Sequence, residues 1–94
     1  MTLGILSLHI IFDSCKSLKE KRSLLKPILH RIHKEFNVSI AEIDLLDKWT
    51  ESIIAVSLLS NNRSHTQSEL NVVITFMQKH FRNIEILENH IELL

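Results

Sequence analysis

The sequence predicts an α+β two-layer sandwich, with a four-stranded antiparallel sheet and two helices packed on one of its faces. Three observations carry that prediction. The chain has 94 residues, enough for a single domain spanning 1–94 and too few for two. Hydrophobic residues make up 45% and charged residues 23%, a balance that excludes a disordered tail. Six periodic segments then follow one another as strand, helix, strand, strand, helix, strand. A domain this small hides only about 60–65% of its unfolded surface, so most of its Leu, Ile, Val and Phe must go inside.

The first strand is Leu3 to Phe12. Leu6, Leu8, Ile10 and Phe12 share one side, and Leu3, Ile5, Ser7, His9 and Ile11 share the other, a mixed face. Ser17-Leu18-Lys19-Glu20 reads as a capping box opening a helix. Apolar residues recur in it at Leu18, Leu24, Leu25, Ile28, Leu29, Ile32 and Phe36, the spacing of an amphipathic helix. Pro27 interrupts the pattern, but on the side away from the apolar stripe, where water can satisfy the freed Ser23 carbonyl; a bend is expected there. Val38 to Leu45 and Ser52 to Ser60 read as short strands joined by the turn residues of Asp44 to Glu51. Ser64-His65-Thr66-Gln67 reads as a second capping box, before a helix with Leu70, Val73, Ile74, Met77 and Phe81 on one side. Ile84 to Leu94 is the last strand, its alternation slipping at Glu88 and Asn89 as a bulge would make it. That element order in so short a chain is the ferredoxin-like arrangement. The fold hosts unrelated functions and fixes none.

The 11 basic and 11 acidic residues cancel in sum but not in distribution. Residues 16 to 34 hold seven basic residues and one acid, leaving four basic and ten acidic residues elsewhere. Lys19, Arg22, Lys26, His30 and His33 fall within roughly 80° of one another on the first helix, opposite the apolar stripe. A ridge of that kind can track a phosphate backbone, and the two histidines add charge below about pH 6.5. Charge on a solvated helix face is ordinary, but so large a local excess exceeds what solubility requires. The sheet offers no aromatic platform: the open-face candidates are Ser7, His9, Ala55 and Ser57, and the chain has no Tyr. Recognition of RNA would therefore rest on backbone and shape, from the helix side.

Signals for catalysis are thin, and an enzyme is not expected. Cys15 precedes a helix and neighbours Lys16 and Lys19, a setting that favours a thiolate, yet no His or Asn partner can be argued. A single cysteine excludes an internal disulfide and suits a reducing compartment such as the cytoplasm. His30 and His33 stand three apart on a helix, but no carboxylate or cysteine completes a metal set. The first loop, Asp13-Ser14-Cys15-Lys16, lacks the Gly of an acylphosphatase phosphate cradle and of amino-acid-sensing domains with this element order. No cofactor is expected. The apolar run at Leu3 to Phe12 follows no basic segment and ends at Asp13, so neither a signal peptide nor a membrane span is expected. Trp49, alone in the turn after Asp47, reads as a lid over the edge of the core.

Ser17-Leu18-Lys19-Glu20-Lys21-Arg22, followed by Phe36-Asn37-Val38-Ser39-Ile40-Ala41-Glu42-Ile43-Asp44, resembles the YlxP-like family of small bacterial proteins. Asp47, Trp49, Ser60-Asn61 and His65 extend the resemblance over nearly the whole chain. It implies a ferredoxin-like domain of unknown function from the bacterial cytoplasm. Genes of that family often lie beside those for a translation initiation factor and ribosome-binding factor A, which implies a ribosome-linked role. Two positions depart from the family pattern. Ile11-Phe12-Asp13 stands where Pro-Gly is usual, and Leu45-Leu46 where a polar pair is usual before Asp47.

Two functions of different kinds follow. One is a non-enzymatic factor docking on ribosomal RNA or a ribosomal subunit through Lys19, Arg22 and Lys26, supported by Lys16, Lys21, His30, Arg31 and His33. Lys21 falls nearer the apolar side of the wheel, where it would snorkel or pair with an acid. The other is a homodimeric interaction module that covers Leu3, Ile5, Ile11, Ile53 and Leu59 on the open sheet face.

Overall fold

The computed structural model describes residues 1–94 and contains β1 (Thr2–Phe12), α1 (Leu18–Glu35), β2 (Ser39–Asp44), β3 (Glu51–Ser60), α2 (Arg63–His80) and β4 (Ile84–Leu93). All neighbouring strands pair antiparallel in the order β2-β3-β1-β4, the ferredoxin-like arrangement.

Strict alternation along β1 puts Thr2, Gly4, Leu6, Leu8, Ile10 and Phe12 under the helices, each of them buried. Ser52, Ile54, Val56 and Leu58 do the same from β3. The helices close the layer with Leu25, Ile28 and Ile32 from α1 and with Leu70, Val73, Ile74 and Met77 from α2. Each such side chain taken out of water contributes about 1.5–3 kcal/mol, set against the entropy of ordering the chain. No buried side-chain nitrogen or oxygen lacks a hydrogen-bond partner.

Both helices begin on a cap. Ser17 Oγ accepts from the Glu20 N–H at 3.0 Å, as the sequence predicts, while the Glu20 carboxylate reaches back to the Lys16 N–H at 3.3 Å instead of to Ser17 itself. The second cap differs from expectation. Asn62, not Ser64, occupies the position, its Oδ1 accepting from the His65 N–H at 2.9 Å. Thr66 is thereby turned inward, where its hydroxyl meets Ser60 Oγ and the Asn62 carbonyl. α1 continues unbroken through Pro27, whose ring is exposed.

Two register shifts finish the sheet. In β4 the pairing passes from His9↔Glu88 to Ile10↔Ile86, so the bulge expected around Glu88 and Asn89 is present, with Leu87 as its extra residue. In β2 it passes from Glu42↔Ile54 to Asp44↔Ile53, an irregularity at Ile43 that the sequence does not announce.

α2 packs tightly over Gly4. A Cβ there would overlap Thr66 Cγ2 and stand 2.8 Å from Leu70 Cδ1. Gly4→Ala is expected to destabilise the domain by about 1–3 kcal/mol through overpacking, measured by denaturant unfolding. An unchanged midpoint would mean that α2 can move away from β1 freely.

Candidate nucleic-acid interface on the first helix

α1 lies on the β2 side of the helix layer. It is held there at both ends by polar contacts to the strand and its flanks. Near its start, the Lys21 ammonium reaches Glu42 Oε2 and the Leu45 carbonyl, both at 2.8 Å. Near its end, His33 Nδ1 sits 2.9 Å from the Val38 carbonyl. A carbonyl only accepts, so Nδ1 carries the hydrogen and Nε2 becomes a donor when the ring protonates.

The ridge runs along the outer side of this helix. Lys19, Arg22, Lys26, His30 and His33 are all exposed along one continuous helix. The second half of the ridge borders a shallow groove of about 410 Å³, lined by Lys26, Leu29, His30, His33, Ser39 and Ile40. No acid lines it. Lys16 is exposed just ahead of the helix and extends the same charged end of the molecule.

Two residues leave the predicted set. Lys21 is only 2% exposed and already paired, so it cannot meet a phosphate; its position between apolar turns carries its ammonium inward to Glu42. Glu42 is fixed in turn by Ser52 Oγ at 2.6 Å. Arg31 projects to the other side of α1, where its guanidinium lies 5.3 Å from the centre of the Phe76 ring and 6.0 Å from that of Phe81. It ties α1 to α2 and stands apart from the ridge.

Cys15 is buried in the core, with Sγ 3.4 Å from the Ser17 carbonyl. Trp49 is not a lid: it is 52% exposed in the β2–β3 turn. No three His, Cys, Asp or Glu side chains converge as a metal site would require. The largest hollow, about 870 Å³, is an open polar groove along α2 with Arg63 as its one charged residue.

The open sheet face carries a separate cluster that the sequence does not announce. His9 Nε2 lies 2.7 Å from Glu51 Oε1, and Lys48 Nζ lies 2.8 Å from Glu51 Oε2. Lys48 first and His9 second hold the Glu51 carboxyl below its ordinary pKa. A lowered carboxyl stabilises the fold above the ordinary carboxylate range, and that contribution disappears as pH falls through the native value. Glu51→Gln should therefore be less stable than the parent at neutral pH, with the gap closing below about pH 5 in acid unfolding curves. A gap independent of pH would contradict the pairing.

A family model described as "Protein of unknown function (DUF503)" matches residues 3–91. "Uncharacterized protein YlxP" of Bacillus subtilis (strain 168) is 43% identical over 76 residues, covering 81% of this chain and 80% of that one. Among solved structures, the de novo designed protein Foldit4 superposes with a TM-score of 0.53 at 12% identity, covering 100% of this chain and 97% of the other. A second de novo design, LFR1 1 with ferredoxin fold, gives a TM-score of 0.50 at 10% identity, covering 100% and 83%. At those identities the designs speak to fold alone. No helix is long and apolar enough to cross a membrane. With the family model spanning nearly the whole chain and the Bacillus relative agreeing with it, this chain belongs to the DUF503 family.

Proposed function

We propose that this protein is a non-enzymatic cytoplasmic factor that docks on ribosomal RNA, as part of a ribosomal subunit, through the exposed face of α1. The observation that carries the reading is the unbroken row of Lys19, Arg22, Lys26, His30 and His33 with no acid in it. Helix stability does not account for that row. Lys19 and Arg22 sit near the positive end of the helix dipole, where cations are unfavourable by a few tenths of a kcal/mol and anions are attracted. The cations and the helix end therefore act in the same direction on a phosphate.

The chemistry predicts electrostatic binding without a base platform. Affinity for RNA should fall steeply with salt. Fluorescence anisotropy of a labelled ribosomal RNA fragment, titrated at several salt concentrations, checks it. Affinity indifferent to salt would contradict the reading.

A second reading, in which the open sheet face covers a second copy, has one specific observation in its favour. Leu59, 63% exposed, and Leu94 both lie beside Leu3 at one end of that face. Leu59→Lys should abolish such a dimer in sedimentation equilibrium, and a dimer that survived it would use another surface.

A further inference from the structure

Of the eight exposed large hydrophobic residues, three fall within seven positions at the end of β2 and in the turn that follows it: Ile43, Leu46 and Trp49. The backbone beneath them is unusually well fixed. Leu45 takes a φ of 60°, the left-handed region that a leucine rarely occupies. Its carbonyl accepts from the buried Lys21 ammonium at 2.8 Å and from the Lys48 N–H at 3.0 Å. Its N–H donates to Asp44 Oδ1 at 2.7 Å. A buried lysine and a strained residue thus hold a turn whose apolar side chains point into water. Backbone strain of this kind persists where the surroundings over-determine it, and it clusters at functional sites. The exposed acids Asp44 and Asp47 flank the knob, which disfavours a phosphate ligand there.

The same end of the molecule contains a complementary hollow. Leu24 and Pro27 of α1, with Phe81 and Ile84 after α2, line a cleft of about 240 Å³ beside exposed His80 and Arg82. Knob and cleft both border the end of β1, where Phe12 N–H donates to the Thr50 carbonyl and Asp13 N–H to the Asn83 carbonyl. An apolar knob with acids and an apolar cleft with bases, at one end of one chain, suit a two-fold contact in which each copy fills the other.

We propose that a second copy of this chain docks end to end, with Leu46 and Trp49 of each copy seated in the cleft of its partner and Asp47 facing Arg82. This inference stands apart from RNA binding and from the open sheet face. In the dimer Trp49 is the central anchor, the kind of residue on which interface energy concentrates.

Trp49 is the chain's one tryptophan, so its emission reports the contact directly. Sedimentation equilibrium and Trp emission should be followed together from about 1 µM to about 500 µM. The expected result is a monomer–dimer equilibrium whose dimer fraction tracks a blue shift. Trp49→Ala should weaken dimerisation by at least roughly tenfold, as should Asp47→Arg or Arg82→Glu alone. The double variant carrying Asp47→Arg and Arg82→Glu should recover most of the loss, because the exchanged charges face each other again. All three positions changed lie at exposed residues, and circular dichroism confirms that each variant is folded. A chain that stays monomeric with constant emission would overturn the proposal. So would a dimer indifferent to Trp49→Ala and Arg82→Glu, whether or not Leu59→Lys dissolves it.

Discussion

Lys21→Ala lowers the thermal midpoint by about 12–32 °C, the largest stability loss expected of any single change at a charged residue here. The Lys21 ammonium is the shared partner of the Glu42 carboxylate and the Leu45 carbonyl. Removing it leaves Glu42, 17% exposed, with Ser52 Oγ as its remaining hydrogen-bond partner. A charge left unpaired in that way costs about 3–4 kcal/mol, and each kcal/mol moves the midpoint of a domain this size by about 4–8 °C. The control is Lys21→Met together with Glu42→Gln, which removes both charges and keeps most of the packing. It should recover more than half of the loss in thermal unfolding at pH 7. A Lys21→Ala protein as stable as the parent would show that the pair behaves as a surface contact. The same variant also takes one of two donors from the Leu45 carbonyl, leaving the Lys48 N–H, so Trp49 emission should broaden before global unfolding.

Arg22→Glu with Lys26→Glu should weaken RNA binding roughly 100-fold at low salt and flatten its salt dependence by roughly 1.5–2 units of log-log slope. The two side chains are exposed and make no hydrogen bond or ion pair within the chain, so the fold should be unaffected. Arg31→Glu provides the contrast. Its guanidinium lies over Phe76 and Phe81, so its replacement should reduce stability modestly and leave the salt slope nearly unchanged. A loss of RNA binding with Arg31→Glu equal to that of the double variant would place the contact surface on the wrong side of α1.

The two central strands were the most legible part of the sequence. β1 buries every residue of one face and β3 buries Ser52, Ile54, Val56 and Leu58, so the alternation survives from the Leu3↔Leu59 pair to the Ile11↔Glu51 pair. The edge strands were less legible because their irregularities depend on the neighbour. Leu87 and Ile43 are extra residues only relative to β1 and β3; the slip beside Glu88 points to the first, and no local composition marks the second. The choice of Asn62 over Ser64 as cap has a similar origin. Both are good caps, and what decides between them is that Thr66 must point inward to Ser60 and the core.

The candidate interface divides in the same way. A helical wheel suffices to align Lys19, Arg22, Lys26, His30 and His33, because exposure on a continuous amphipathic helix follows from angle alone. The wheel also places Lys21 toward the apolar side, but its partner Glu42 becomes visible only when β2 is laid beside α1. Arg31 needs the second helix to reveal its aromatic partners. Trp49 is recognisable as a turn residue, whereas its exposure follows from the way Lys21, Lys48 and Asp44 fix Leu45.

The most direct test of α1 as a ribosome-docking face is co-sedimentation with purified small and large ribosomal subunits at low and moderate salt. The parent protein is compared with the Arg22→Glu, Lys26→Glu variant after circular dichroism has shown both to be folded. The expected result is that the parent pellets with one subunit at low salt, less at moderate salt, and that the variant stays in the supernatant. Equal pelleting of the two proteins, or no pelleting of the parent at low salt, would contradict it.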